Sequence, residues 1–162
     1  MEKSGLFLHF LKMSKTTQKT ISYAGTFERS MDAKNRVTIP AGWLNEGPDE
    51  FHAIPHSSGD CLVIMPPEDF DSIAVSIKQS ERTPEDKQKI IRQIYSKARA
   101  VSADSQGRIL LPEDQCGTLG LKGDIVLVGG HSRFEIWNTK RWSAISTSDE
   151  AIANEEAKQF GL

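Results

Sequence analysis

Cysteine is scarce in this chain: Cys61 and Cys116 are the only two in 162 residues, and they form neither a C-x-x-C pair nor any metal-ligand spacing. That excludes a disulfide scaffold and a cysteine-built zinc module, and leaves two buried or half-buried free thiols in a reducing compartment. Long apolar runs are also missing. Leu6-Phe7-Leu8-His9-Phe10-Leu11 is too short and too interrupted to span a membrane, and no small-residue cleavage site follows it. The expected location is the cytoplasm, with residues 1–22 a disordered N-terminal extension. Catalytic signatures are absent as well. There is no G-x-S-x-G, Walker loop or dinucleotide fingerprint, and Asp104, Asp114 and Asp124 lie too far apart in sequence for a recognised carboxylate pair. His52 and His56 fall in a strand and its turn, where a spacing of four does not converge on a metal. No catalytic residue, metal, cofactor or small-molecule substrate is expected.

A surplus of positive charge is the last absence: 20 Lys and Arg against 22 Asp and Glu give a formal charge of −2. The total therefore offers no general argument for a nucleic-acid partner, and the distribution has to decide. Tyr23 to Arg36 carries Arg29, Lys34 and Arg36 against Glu28 and Asp32, a net +1. Tyr95 to Arg108 carries Lys97, Arg99 and Arg108 against Asp104, a net +2. Ser143 to Leu162 is acidic, with Asp149, Glu150, Glu155 and Glu156 against Lys158, a net −3.

Those two basic stretches are copies. Asp32-Ala33-Lys34-Asn35-Arg36-Val37-Thr38-Ile39-Pro40 returns as Asp104-Ser105-Gln106-Gly107-Arg108-Ile109-Leu110-Leu111-Pro112, an offset of 104 − 32 = 72. Carried outward without a gap, the offset also pairs Tyr23 with Tyr95, Ser30 with Ser102, Ile64 with Ile136, Phe70 with Trp142 and Ile73 with Ile145. An internal duplication organises the chain. Within each copy, Arg36-Val37-Thr38-Ile39 alternates polar and apolar, so Val37 and Ile39 face a core while Arg36 and Thr38 face away. A β-rich stretch from Tyr23 to Met31 precedes it, and the connecting residues end in Asn35 or Gly107, two types that tolerate positive φ. A hairpin with its left-handed residue last is the expected local fold, with Asp32 and Asp104 accepting backbone N–H bonds inside the turn. Pro40 and Pro112 fit the first position of a short helix.

Beyond the first turn, Phe51 to Pro55 and Cys61 to Met65 read as a strand pair around His56-Ser57-Ser58-Gly59-Asp60. Pro66-Pro67-Glu68-Asp69 opens a helix whose apolar face is Phe70, Ile73 and Ile77, and Thr83-Pro84 caps a second helix through Ile94. The second β half runs from Tyr95 to Trp137, with Gly129-Gly130 as a hairpin turn, and Asn138 starts a final helix.

The motif D-x-x-G-R-apolar-x-apolar-P, twice in one chain, resembles the MraZ family of bacterial transcriptional regulators, within the AbrB-like swapped-hairpin superfamily. Gly120-Leu121-Lys122-Gly123-Asp124-Ile125-Val126-Leu127-Val128-Gly129-Gly130 and Arg133-Phe134-Glu135-Ile136-Trp137 are similar to that family too. The likeness runs from about Tyr23 to Trp142, and its one departure is Asn35, where the family motif has Gly. It implies an α+β, β-rich fold: two tandem AbrB-like halves, over residues 23–82 and 83–146, forming a pseudo-symmetric swapped-hairpin β core with flanking helices and a polar tail over 147–162. It further implies a ring-like homo-oligomer, nucleoid-associated, that binds double-stranded DNA at short tandem promoter repeats of the cell-division and cell-wall gene cluster. Asp32, Arg36, Asp104 and Arg108 are the motif residues at the DNA-facing hairpins. Arg36 and Arg108 would contact phosphate or guanine, Lys34 would add a phosphate contact, and Asn35 and Gly107 would shape the turns. Two other readings stand beside this one: an AbrB-type antitoxin whose acidic tail neutralises a toxin, and a ring scaffold with no role on DNA.

Overall fold

The computed structural model of the chain describes residues 21–45 and 47–162. Of the extension expected over residues 1–22, all but Ile21 and Ser22 therefore lies outside the described residues.

The elements follow the duplication. The first copy gives β1 (Thr26–Ser30), β2 (Arg36–Thr38), α1 (Ala41–Leu44), β3 (Glu50–Pro55), β4 (Cys61–Met65) and α2 (Pro67–Gln79). After α3 (Pro84–Tyr95), the second gives β5 (Arg99–Ser102), β6 (Arg108–Leu110), α4 (Glu113–Leu119), β7 (Asp124–Gly129), β8 (Phe134–Asn138) and α5 (Thr139–Glu156), which runs into a 3-10 turn at Ala157–Phe160. The polar tail is thus helical for most of its length. No described helix is long and apolar enough to cross a membrane.

Strands form a six-stranded antiparallel sheet, β1-β7-β8-β4-β3-β5, and a two-stranded sheet, β2-β6. Exchanging the copies reverses the six-strand order onto itself, which is a pseudo-two-fold. Its axis can be placed by residue. In the small sheet Val37 pairs with Ile109, and 109 − 37 = 72; at the centre of the large sheet Val63 pairs with Glu135, and 135 − 63 = 72. At both points a residue faces its own duplicate.

Local sequence correctly shapes each turn but does not identify the strand partners. Asn35 closes the first turn at φ 60° and Gly107 the second at φ 74°. Past the turn, however, the flanking strands separate instead of zipping into a hairpin ladder: β1 pairs with β7, β5 with β3, and β2 with β6. Each arm belongs to the opposite half. The left-handed residues help to fasten it, because the Asn35 carbonyl accepts from Leu111 N at 2.9 Å and the Gly107 carbonyl from Ile39 N at 2.9 Å. A second correction concerns Pro40 and Pro112, which stand one position earlier than expected, as extended N-caps before α1 and α4. The third is Tyr95. It ends α3, whereas Tyr23, its match by offset, is extended and bridged to His131, so the second β half starts at Arg99.

Both faces of the large sheet are covered, which is why β4 is buried at every position and reads as a continuous apolar run. One face packs beneath the small sheet, with Val37, Ile39, Ile109, Leu111, Leu62, Ile64, Leu127 and Ile136 buried together. An aromatic cluster holds its end: Trp43 lies 4.9 Å from Phe134 and 5.6 Å from Tyr23 between ring centroids. The opposite face takes Phe70, Ile73, Ile94, Trp142 and Ile145 against Val63, Val126 and Trp137. Ile77, expected on the same helical face, is half-buried like Phe70 and Ile73 but does not belong to this cluster. His52 stacks on Phe70 at 3.8 Å, and both cysteines are buried free thiols. Gly129 sits where a Cβ would stand 2.5 Å from the Tyr23 carbonyl oxygen, so this crossing of backbones requires glycine. In the turn that follows, the left-handed residue is His131 at φ 71°.

Candidate nucleic-acid interface

The small sheet brings the two copies of the organising motif onto one surface. Val37 and Ile109 are fully buried, so the alternation of the strands turns Arg36, Thr38, Arg108 and Leu110 outward. Antiparallel register then sets Arg36 opposite Leu110 and Thr38 opposite Arg108. The two turns lie at opposite ends of this ladder, with Lys34 exposed in one and Gln106 exposed in the other.

Each turn is built by its aspartate. Asp32 Oδ1 accepts from Lys34 N and Arg36 N, both at 2.9 Å, and Asp104 Oδ1 accepts from Gln106 N and Arg108 N, both at 2.9 Å. The second carboxylate oxygen takes the arginine four residues on: Arg36 Nε at 2.6 Å and Arg108 Nε at 3.0 Å. One carboxylate thus shapes the loop and aims the guanidinium. Because the pairing runs through Nε, the terminal Nη edge is not used by the carboxylate, and that edge can donate two parallel hydrogen bonds to a phosphate or a guanine. Surface ion pairs of this kind add little to stability, so orientation is their main product.

Backbone donation from Arg36, the largest cause, holds the Asp32 carboxyl below its ordinary range, assisted by the Arg36 side chain and Lys34 N. Donation from Arg108 N does the same for Asp104. A carboxyl with a depressed folded-state value contributes stability above its unfolded value and loses it as pH falls through the folded one. Thermal melts from about pH 6 to about pH 2 should therefore show the wild type losing stability below about pH 4, more steeply than an Asp32→Asn, Asp104→Asn variant. Parallel curves would remove these two groups from the acid response.

Local charge counting includes Arg29 without giving it a role. In the fold it joins the site: its Nε donates to the Thr38 carbonyl at 3.3 Å, and its guanidinium carbon lies 5.4 Å from the Phe27 ring centroid. Its counterpart by offset is Val101, so this contact exists on one side only. Lys97 precedes β5 and Arg99 begins it, outside the two-stranded sheet. Lys97 accepts a bond from Gln115 at its backbone carbonyl, and Arg99 pairs with Asp114 at 3.3 Å. Cys116 is nearby in α4, but burial raises its thiol to about 11, which keeps it protonated and chemically quiet.

A family profile described as "MraZ protein, putative antitoxin-like" matches residues 94–161. The chain is 31% identical to the transcriptional regulator MraZ of Symbiobacterium thermophilum over 138 residues, covering 85% of this chain and 99% of that protein. It is 30% identical to the transcriptional regulator MraZ of Carboxydothermus hydrogenoformans, covering 85% of this chain and 96% of that protein. Against the protein of the same description from Acetivibrio thermocellus it is 27% identical, covering 86% and 97%.

Proposed function

The chain belongs to the MraZ family, and from that premise we propose that it is a sequence-specific, DNA-binding transcriptional regulator that grips DNA with the outward face of β2 and β6. It acts as a non-enzymatic protein of the cytoplasm and nucleoid. The observation that carries this reading is the pair of Asp–Arg turns, Asp32 with Arg36 and Asp104 with Arg108, presented on one surface by the ladder between them. Guanidinium groups oriented from behind by a carboxylate suit recognition of phosphate or guanine, where two parallel donors are needed. Lys34, exposed at the first turn, adds a phosphate contact. Asn35 and Gly107 supply the backbone geometry.

On this reading residues 23–82 and 83–146 are two repeats of one unit, 1–22 an extension and 147–162 a tail. A single ladder offers few contacts, so useful affinity requires several chains engaged at once on tandem sites, the expected arrangement being a ring-like homo-oligomer on the promoter of the cell-division and cell-wall genes. Salt titration tests the electrostatic core of this proposal. If an assembly neutralises roughly six phosphates, the logarithm of the binding constant should fall with the logarithm of salt at a slope of about −5. A flat response on promoter DNA would sink the DNA reading. Light scattering on the same sample should give a mass well above that of a dimer.

A further inference from the structure

The outward face of the ladder is symmetric in its arginines and asymmetric in their neighbours. Arg36 and Arg108 are duplicates of one another, and so are Thr38 and Leu110, since 110 − 38 = 72. Thr38 offers a hydroxyl beside one methyl; Leu110 offers only hydrocarbon and is 59% exposed. Among the described residues it is the one large apolar side chain so exposed in a strand; the others, Val75, Ile152, Phe160 and Leu162, lie on helices or at the chain end. The register places Leu110 directly across from Arg36, where side chains start about 5 Å apart. A hydrogen-bond donor and an isobutyl group thus stand side by side, within the span of about two base-pair steps.

Phosphate has no use for such a leucine. The apolar feature that DNA presents beside its hydrogen-bonding edges is the thymine 5-methyl group in the major groove. We propose that Leu110 packs against a thymine methyl, making the Arg36–Leu110 end of the ladder the stronger methyl reader and the Arg108–Thr38 end mainly a hydrogen-bonding one. Each chain then docks on DNA in one orientation although its fold is pseudo-two-fold. This inference rests on the DNA-binding reading above and assigns its base specificity.

The test uses the full-length wild-type protein and duplexes that it selects from a random pool, resynthesised with deoxyuridine for thymidine one position at a time. At one or two positions the loss of the methyl should weaken binding about fourfold, the worth of one buried methyl-sized group. Leu110→Asn, which has no methyl, should abolish that sensitivity, and Thr38→Leu should strengthen sensitivity at the other end. Equal affinity for thymidine and deoxyuridine duplexes at every position would overturn the assignment while leaving DNA binding intact. If Leu110→Asn reduced oligomer mass and left the thymidine preference unchanged, the side chain would belong to a contact between copies, and the proposal would fall. A pool from which nothing is enriched would refute the DNA reading itself, before any methyl is compared. The wild-type comparison needs no variant, so a misfolded mutant does not protect the idea.

Discussion

An Arg36→Ala, Arg108→Ala double variant should lose DNA affinity by at least about thirtyfold per chain while melting close to the wild type. Each base contact by a guanidinium is worth about 1 to 3 kcal/mol, and the loss compounds across every ladder that the assembly engages. Stability should barely change because neither arginine contributes to the core. Val37 and Ile109, the fully buried partners at the axis, remain in place, and Asp32 and Asp104 keep the backbone bonds that close their turns. The single variants should differ. Arg36 works beside Lys34 and Leu110, and Arg108 beside Gln106 and Thr38, so Arg36→Ala should cost more. Anisotropy titrations and thermal melts on the three variants decide the matter; a folded double variant with unchanged affinity would take the ladder out of the mechanism.

Dividing the chain between α2 and α3 should have the largest effect on folding. The cut leaves helices whole, yet it separates β1 from β7, β5 from β3, β2 from β6 and β4 from β8. All that stays paired in each fragment is one hairpin, β3 with β4 or β7 with β8. An isolated two-stranded hairpin is marginal in water, and the exposed faces of Leu62, Ile64, Leu127 and Ile136 would have no cover. Neither fragment should exist as a folded monomer, and equimolar mixing should restore a cooperative melt. A compact monomeric half, seen by light scattering with a sharp thermal transition, would refute the interlocked architecture.

How far the fold could be read in advance depended on the range of each interaction. Asn35 and Gly107 announce a left-handed residue because few residue types tolerate it, and both aspartates sit where a turn needs an acceptor. Alternation in Arg36-Val37-Thr38-Ile39 gives the buried face correctly. It cannot give the partner: Val37 would alternate identically beside β1 or beside β6, and only packing over distance selects Ile109. The unbroken offset fails at Tyr95 because α3 occupies the place where the second copy should begin. Likewise β7 starts two residues later than the offset from β3 requires, since 50 + 72 = 122 and the strand begins at Asp124. In the fold, Arg36 and Arg108 stand in the two strands of one ladder and Lys34 in the turn before the first. Arg29 was not legible as a participant, because its reach to the Thr38 carbonyl depends on how β1 crosses β2. Leu110 could have been noticed, as a hydrocarbon at an outward position.

The exchange of arms also governs the order in which the molecule can be built on the ribosome. Thr26 pairs with Val128, and 128 − 26 = 102 residues must be added before β1 meets its partner. At about 5 to 20 residues per second, that is a wait on the order of 5 to 20 seconds. During it β3 and β4 pair first, β5 and β6 then arrive as partners for β3 and β2, and β1 remains a strand with a free edge throughout. Docking of the first arm becomes a late event in synthesis, closing over β7 once the second half has emerged, so nascent chains crowded on one messenger are at their most vulnerable to exchanging arms with one another.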